Sequence, residues 1–153
     1  MFDIFISYRR DTGTTSAQLI HALFKNKGVN AYLDSKVIRN ENFFNNIKRN
    51  IDASPNYLMI LTPGFFKKRE PVDWIRKEIE YAKSKGKNII GLAFDGYDHY
   101  EVDWDLEKPF FASFRSFNYY KFVPSLADAS LAQVLDVMVD ALGNKFSLEK
   151  NLI

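Results

Sequence analysis

Two glutamates lie two residues apart in the run Trp74-Ile75-Arg76-Lys77-Glu78-Ile79-Glu80-Tyr81-Ala82. If the run is helical, each meets the residues three and four positions away. Glu80 then has Arg76, Lys77 and Lys83 for neighbours and reads as a solvated carboxylate in surface ion pairs worth ~0.3–0.5 kcal/mol each. Glu78 has Trp74, Ile75, Tyr81 and Ala82 instead, so no local cation balances it, and it borders the apolar stripe of Ile75 and Ile79. Such a carboxylate either takes a ligand, or points to water, or pairs with a distant arginine; isolated charges mark sites only statistically. Arg9-Arg10 follows the first apolar run, and two guanidiniums there suit a pyrophosphate through charge-assisted, bidentate contacts. Pairing with Asp11 or Asp34, or plain solvation, is the alternative. Phe43, Phe44 and Trp74 have rings to stack on a purine or pyridinium, although aromatics at helical spacing commonly serve a core. Trp74 stands out because it precedes Glu78 by four residues. No GxGxxG, P-loop or GxSxG pattern occurs, which disfavours an ordinary dinucleotide fold, an NTPase and a serine hydrolase. Ser7 and His21 have no third partner recognisable from spacing and read as structural.

The elements that must carry these residues alternate. Phe2 to Ser7 reads as a buried strand ending at the polar cluster Arg9 to Gly13. Ala17, Leu19, Ile20, Leu23 and Phe24 form a helical stripe, with Thr14, Thr15 and Ser16 as candidate caps and Gly28 as its close. Val29 to Asp34 is a second strand, followed by a polar loop from Ser35 to Asn42. Phe43, Phe44, Ile47 and Ile51 mark a helix that stops before Pro55. Tyr57 to Leu61 is strand three; Pro71 is expected to open a helix closed by Gly86. Asn88 to Phe94 is strand four, and Asp95 to Ser116 reads as a long connection with one short helical turn. Phe117 to Val123 gives strand five, and Leu131, Val134, Leu135, Met138 and Leu142 a last helix ending at Gly143. Alternating strands and helices imply βαβ units, hence a parallel sheet covered on both faces. Ligands gather at the carboxyl ends of such strands. That edge would carry Ser7-Tyr8-Arg9-Arg10, Asp34-Ser35, Thr62-Pro63 and Asp95-Gly96.

With 153 residues, 46% hydrophobic and 26% charged, the chain suits one globular domain with a sufficient core. The 21 Lys+Arg are dispersed among 19 Asp+Glu, which leaves no electrostatic footprint for nucleic acid. Cysteine is absent, removing disulfides, thiolate metal sites and cysteine nucleophiles, and the two histidines, His21 and His99, are far apart, so no metal site is expected. The opening MFDIFISYRRD is too short an apolar run for a signal peptide or a spanning helix, which argues against a membrane and for the cytoplasm as default compartment.

The segments FDIFISYRRD, VNAYLD, LMILTPG and DWIRKEIEYAKSKGKNIIGL resemble a Toll/interleukin-receptor (TIR) domain from about Phe2 to Leu142, most specifically in the W-x-x-x-E spacing of Trp74 and Glu78. The sequence is most similar to the NAD-cleaving branch found in bacterial defence or effector proteins and in the animal axon-degeneration NADase. The resemblance implies an α/β, flavodoxin-like five-stranded parallel sheet with helices on both faces, spanning residues 1–143, with 144–153 as a tail or linker. It implies NAD+ as substrate rather than cofactor, with Glu78 catalytic, Trp74 beside the substrate, and Arg9, Arg10 and Phe43 bordering the nucleotide site. Ser7 and Tyr8 belong to the shared Ser7-Tyr8-Arg9-Arg10 stretch and are carried with it as substrate-binding residues. The products implied are nicotinamide with ADP-ribose or its cyclic isomers, in a setting of defence or virulence. Homotypic self-association, head to tail and possible as a filament, is implied too, through the loop Ser35 to Asn42. The chain departs from many relatives at Asn40-Glu41, where they carry Gly, the residue that takes a positive φ most easily. A non-catalytic adaptor of the same fold is the alternative, because fold alone does not specify function.

Overall fold

The structure is a computed structural model that describes residues 1–34, 39–106, 108–111 and 117–148. Five strands alternate with helices: β1 (Ile4–Ser7), α1 (Arg10–Asn26), β2 (Ala31–Leu33), α2 (Glu41–Asp52), β3 (Asn56–Leu61), α3 (Trp74–Ser84), β4 (Asn88–Ala93), a short α4 (Lys108–Phe111), β5 (Asn118–Lys121) and α5 (Ala127–Val137). The sheet is parallel throughout and ordered β2-β1-β3-β4-β5, the flavodoxin-like order.

Side-chain alternation along the strands divides the core in two. Ile4 and Ile6 of β1, Leu58 and Ile60 of β3, and Ile90 and Leu92 of β4 pack against Ala17, Ile20 and Phe24 of α1 and Leu131 and Val134 of α5. Phe5, Tyr57, Met59 and Leu61 face the other way, onto Phe43, Ile47 and Ile51 of α2 and Ile75, Ile79 and Ala82 of α3. Buried on both faces, β3 reads as a continuous apolar run, as parallel strands do.

The helix starts differ from those expected. α1 begins at Arg10, ahead of Thr14 to Ser16, and carries Asp11 in its first turn, where a carboxylate favours the helix dipole. Gly13 therefore lies inside a helix, buried, and faces Thr62 and Tyr8. α3 begins after Asp73 rather than at Pro71, because the Asp73 carboxylate accepts from Arg76 N at 3.0 Å and supplies the cap. Asn40 caps α2 by accepting from Phe43 N at 2.9 Å. Its φ of −154° is extended backbone, so the position does not call on glycine's conformational freedom. Within the connection 95–116, His99–Glu101 forms a single 3-10 turn and α4 a second short piece of helix. The segment is held by an aromatic cluster in which His99 lies 4.7 Å from both Trp104 and Tyr119.

α5 ends at Val137, earlier than the stripe through Leu142 implied. The chain then reverses: Val139 bridges Lys145, Phe146 N donates to Met138 O at 3.1 Å, and Phe146 is buried in the α1/α5 core. Among the described residues no helix is long and apolar enough to cross a membrane.

Candidate functional site

β1 runs into α1 on one face of the sheet and β3 leads to α3 on the other, so a crevice opens at their carboxyl ends, where ligands bind in this class of sheet. Arg9 spans the crevice. It is 4% exposed, and its Nη1 and Nη2 donate to Asp73 Oδ1 and Oδ2 at 2.7 and 3.0 Å while Nε donates to Phe65 O at 2.8 Å. Burial alone would raise the Asp73 pKa; the bonds from Arg9 and from the backbone N–H groups of Arg76 and Arg69 outweigh it and hold the carboxyl below its ordinary range. Most of the Arg9 donors thus tie the two loops together.

Glu78 projects from the second turn of α3 and is 3% exposed. The distant arginine that the sequence left unnamed is Arg39, whose Nη1 lies 3.1 Å from Glu78 Oε2. Burial raises the Glu78 pKa to about 7; Arg39 opposes that rise and Asp34 reinforces it. Arg39 also approaches Asp34 Oδ2 at 3.7 Å, and Arg10 holds the same oxygen at 3.2 Å, so two carboxylates and two guanidiniums alternate across the edge of the sheet. Tyr8 OH donates to Asp34 O at 2.5 Å and fixes the end of β2 against β1. Beneath this chain of charges, the Ser7 hydroxyl and the Tyr57 phenol are buried beside each other. Burial, and next the Glu78 charge, push the Tyr57 phenol well above its ordinary range.

A cleft of about 290 Å³ opens outside these groups, lined by Arg9, Arg10, Arg39 and Arg69, by the Asp11 carboxylate, and by Val72, Trp74 and Ile75. Trp74 is half-buried, with Phe44 at 5.9 Å between ring centroids and the Lys77 ammonium 5.1 Å from its own. Phe43 is buried and backs the Arg39 guanidinium at 4.8 Å, so it supports the cleft wall from behind. Of the residues singled out in the sequence, Arg9, Arg10 and Trp74 reach the cleft, whereas Ser7, Tyr8, Phe43 and Glu78 lie behind its lining. Glu80 is exposed. Residues 35–38 of the loop expected to contact a neighbour lie outside the described residues. Sequence reasoning missed Arg39, Asp73 and Arg69. Asp73 was detectable as a helix cap directly before Trp74; nothing local marks Arg39, 39 positions from the carboxylate it meets.

The TIR-domain family model matches residues 4–135, and the chain belongs to that family. It is 28% identical over 154 residues to NAD(+) hydrolase tir-1 of Caenorhabditis elegans, covering 98% of this chain and 16% of that protein. NAD(+) hydrolase sarm1 of Drosophila melanogaster is 28% identical over 105 residues, covering 66% of this chain and 8% of that protein. NAD(+) hydrolase SARM1 of Danio rerio is 28% identical over 92 residues, 58% of this chain and 13% of that protein. The chain thus spans less than a fifth of each of these relatives. Among solved structures, the TIR domain of the Toll-related receptor TRR-2 from Hydra magnipapillata superposes with a TM-score of 0.63 at 18% identity, covering 90% of this chain and 98% of that one. The TIR domains of the activated Roq1 resistosome superpose with a TM-score of 0.58 at 13% identity, covering 88% and 98% of the two chains. These likenesses establish the fold.

Proposed function

We propose that this TIR domain is an NAD+ nucleosidase in which the Glu78 carboxylate stabilises the ribosyl centre as nicotinamide leaves. The observation that carries the reading is a buried carboxylate with a raised pKa at the carboxyl edge of the sheet, one turn after Trp74 and behind an arginine-lined cleft. The likeness to NAD(+) hydrolases supplies the substrate.

Ordinary glycosidases use two carboxyl groups, because an alkoxide leaving group needs a proton. The nicotinamide nitrogen of NAD+ already carries positive charge, so when its bond to the ribose carbon breaks, the electron pair neutralises the departing base and no general acid is needed. The remaining demand is stabilisation of positive charge on the sugar, which one carboxylate in a partly dry site can meet. Water then adds to the ribose carbon and loses a proton, giving ADP-ribose; attack by a nucleophile within the same molecule gives a cyclic product. Arg10 at the cleft wall suits the pyrophosphate, and Trp74 offers a face to a ring.

The test is nicotinamide release by the purified chain. Glu78→Gln is expected to abolish it with the fold retained, whereas Glu80→Gln, at an exposed position, leaves the rate unchanged. An unchanged rate in folded Glu78→Gln would refute the enzyme reading. The alternative of a non-catalytic interaction module is favoured by one observation: the ion pair with Arg39 gives Glu78 a purely structural partner.

A further inference from the structure

The reading of Glu78 as the reacting carboxylate leaves the role of Arg39 open, and the inference drawn here rests on that reading. Arg39 precedes α2, and its guanidinium faces Glu78 at 3.1 Å, Asp34 at 3.7 Å and the Phe43 ring at 4.8 Å. Arg39 lines the cleft as well, beside Arg10, Arg69 and Trp74, whereas Glu78 does not. One guanidinium on the cleft lining is thus bonded to the carboxylate behind it, and while it stays there it competes with a ribosyl cation for Glu78.

Removing a partner from a buried carboxylate is strongly unfavourable, so Arg39 leaves only if a comparable anion receives it. The cleft is built to hold such an anion. Arg10, Arg39 and Arg69 bring three guanidiniums to its wall, and phosphate oxygens accept from guanidinium groups bidentately. Arg10 shares Asp34 with Arg39, and Arg69 is paired with Asp11 at 3.1 Å. Arg10 and Arg39 keep N–H groups beyond these pairs, because a guanidinium has five, whereas the Arg69 nitrogens already donate to Asp11, Gly64 O and Lys67 O, so Arg69 adds positive charge rather than free donors.

We propose that Arg39 is a phosphate-operated latch: a diphosphate seated among Arg10, Arg39 and Arg69 draws the Arg39 guanidinium away from Glu78 and uncovers the carboxylate only when a phosphate-bearing nucleotide is in place. Arg39 is then a positioning residue that sets substrate class. Dinucleotides open the latch, whereas nicotinamide riboside, which has the same scissile bond and no phosphate, meets a closed site.

Inorganic pyrophosphate is the probe, and the carboxyl carbon-13 signal of Glu78 is the readout, assigned by its loss in Glu78→Gln. Pyrophosphate is expected to move that signal in the wild-type chain toward the position it has in Arg39→Ala, and Arg10→Ala is expected to weaken the response. Arg39→Gln serves the same purpose should Arg39→Ala not fold. Pyrophosphate that fails to bind, or that shifts Arg10 resonances with Glu78 unmoved, overturns the latch; so does an Arg39→Ala spectrum with Glu78 at its wild-type position. In turnover, the preference for NAD+ over nicotinamide riboside in kcat/KM is expected to be large in the wild type and reduced in Arg39→Ala. Absence of turnover with both compounds in every variant defeats the nucleosidase reading alone, because the carboxyl signal still decides the latch.

Discussion

Glu78 faces opposed demands: the proposed chemistry calls for a charge at the sheet edge, yet burial penalises it. A rise in pKa from 4.5 to about 7 corresponds to roughly 3 kcal/mol of folding free energy withheld from the charged form. Below pH 4.5 the group is protonated in folded and unfolded chains alike. Between 4.5 and about 7 the folded chain keeps a proton that the unfolded chain has released, so this group makes stability fall as pH climbs through that window, then level off. His99 acts in the opposite sense, because burial lowers its pKa and stability is gained as pH rises from that lowered value up to its ordinary one. The difference between wild type and Glu78→Gln isolates the glutamate: urea unfolding at pH 5 and pH 8 is expected to give a wild-type loss that the variant lacks, and equal slopes would count against the raised pKa. The two neighbouring arginines are expected to separate cleanly. Arg9→Ala strands the buried Asp73 and should cost about 3–5 kcal/mol in denaturant unfolding. Arg10→Ala, partly exposed, should cost under about 1 kcal/mol yet raise KM for NAD+. Wild-type stability in Arg9→Ala would remove the scaffold role assigned to it.

Among the elements, β4 has the least room. A Cβ on Gly91 would lie 2.8 Å from Leu61 Cδ1 and from Phe117 Cε2 and 2.9 Å from Tyr119 Cβ, and the last is fixed to the backbone of β5. Gly91→Ala is therefore expected to destabilise by about 1–3 kcal/mol, read from the denaturant midpoint, and a neutral result would mean that β5 can shift to accommodate it. Gly91 gave no such signal in the sequence, where Asn88 to Phe94 reads as an ordinary apolar strand. The order and type of the main elements were legible there because burial on two faces leaves continuous apolar strands and buried helix stripes leave 3.6-residue spacing. Helix starts were less so: Asp73 outranks Pro71 because its carboxylate reaches the free N–H of Arg76, and α1 starts at Arg10, ahead of the Thr14 to Ser16 cluster, with no side-chain cap. The site was half legible. Trp74 and Glu78 are neighbours on one helix, and local spacing finds them; Arg39 meets Glu78, and Arg9 meets Asp73, only through chain closure across 39 and 64 positions.

For the molecule as a whole, a site whose carboxylate sits behind its own cleft wall suits a protein that works when assembled. Self-association is proposed to complete it, and head-to-tail contacts propagate unless their rotation closes a ring. Nicotinamide release per mole of chain is expected to climb with protein concentration; a constant specific activity across the dilution range would exclude this. The reversal after α5 bears on how the domain can be cut. The family match stops at residue 135, yet Phe146, eleven residues further on, is buried in the α1/α5 layer. A fragment trimmed at the end of the match would bare an oily socket and invite clumping, so an inert or insoluble short version would reflect a missing plug rather than missing chemistry.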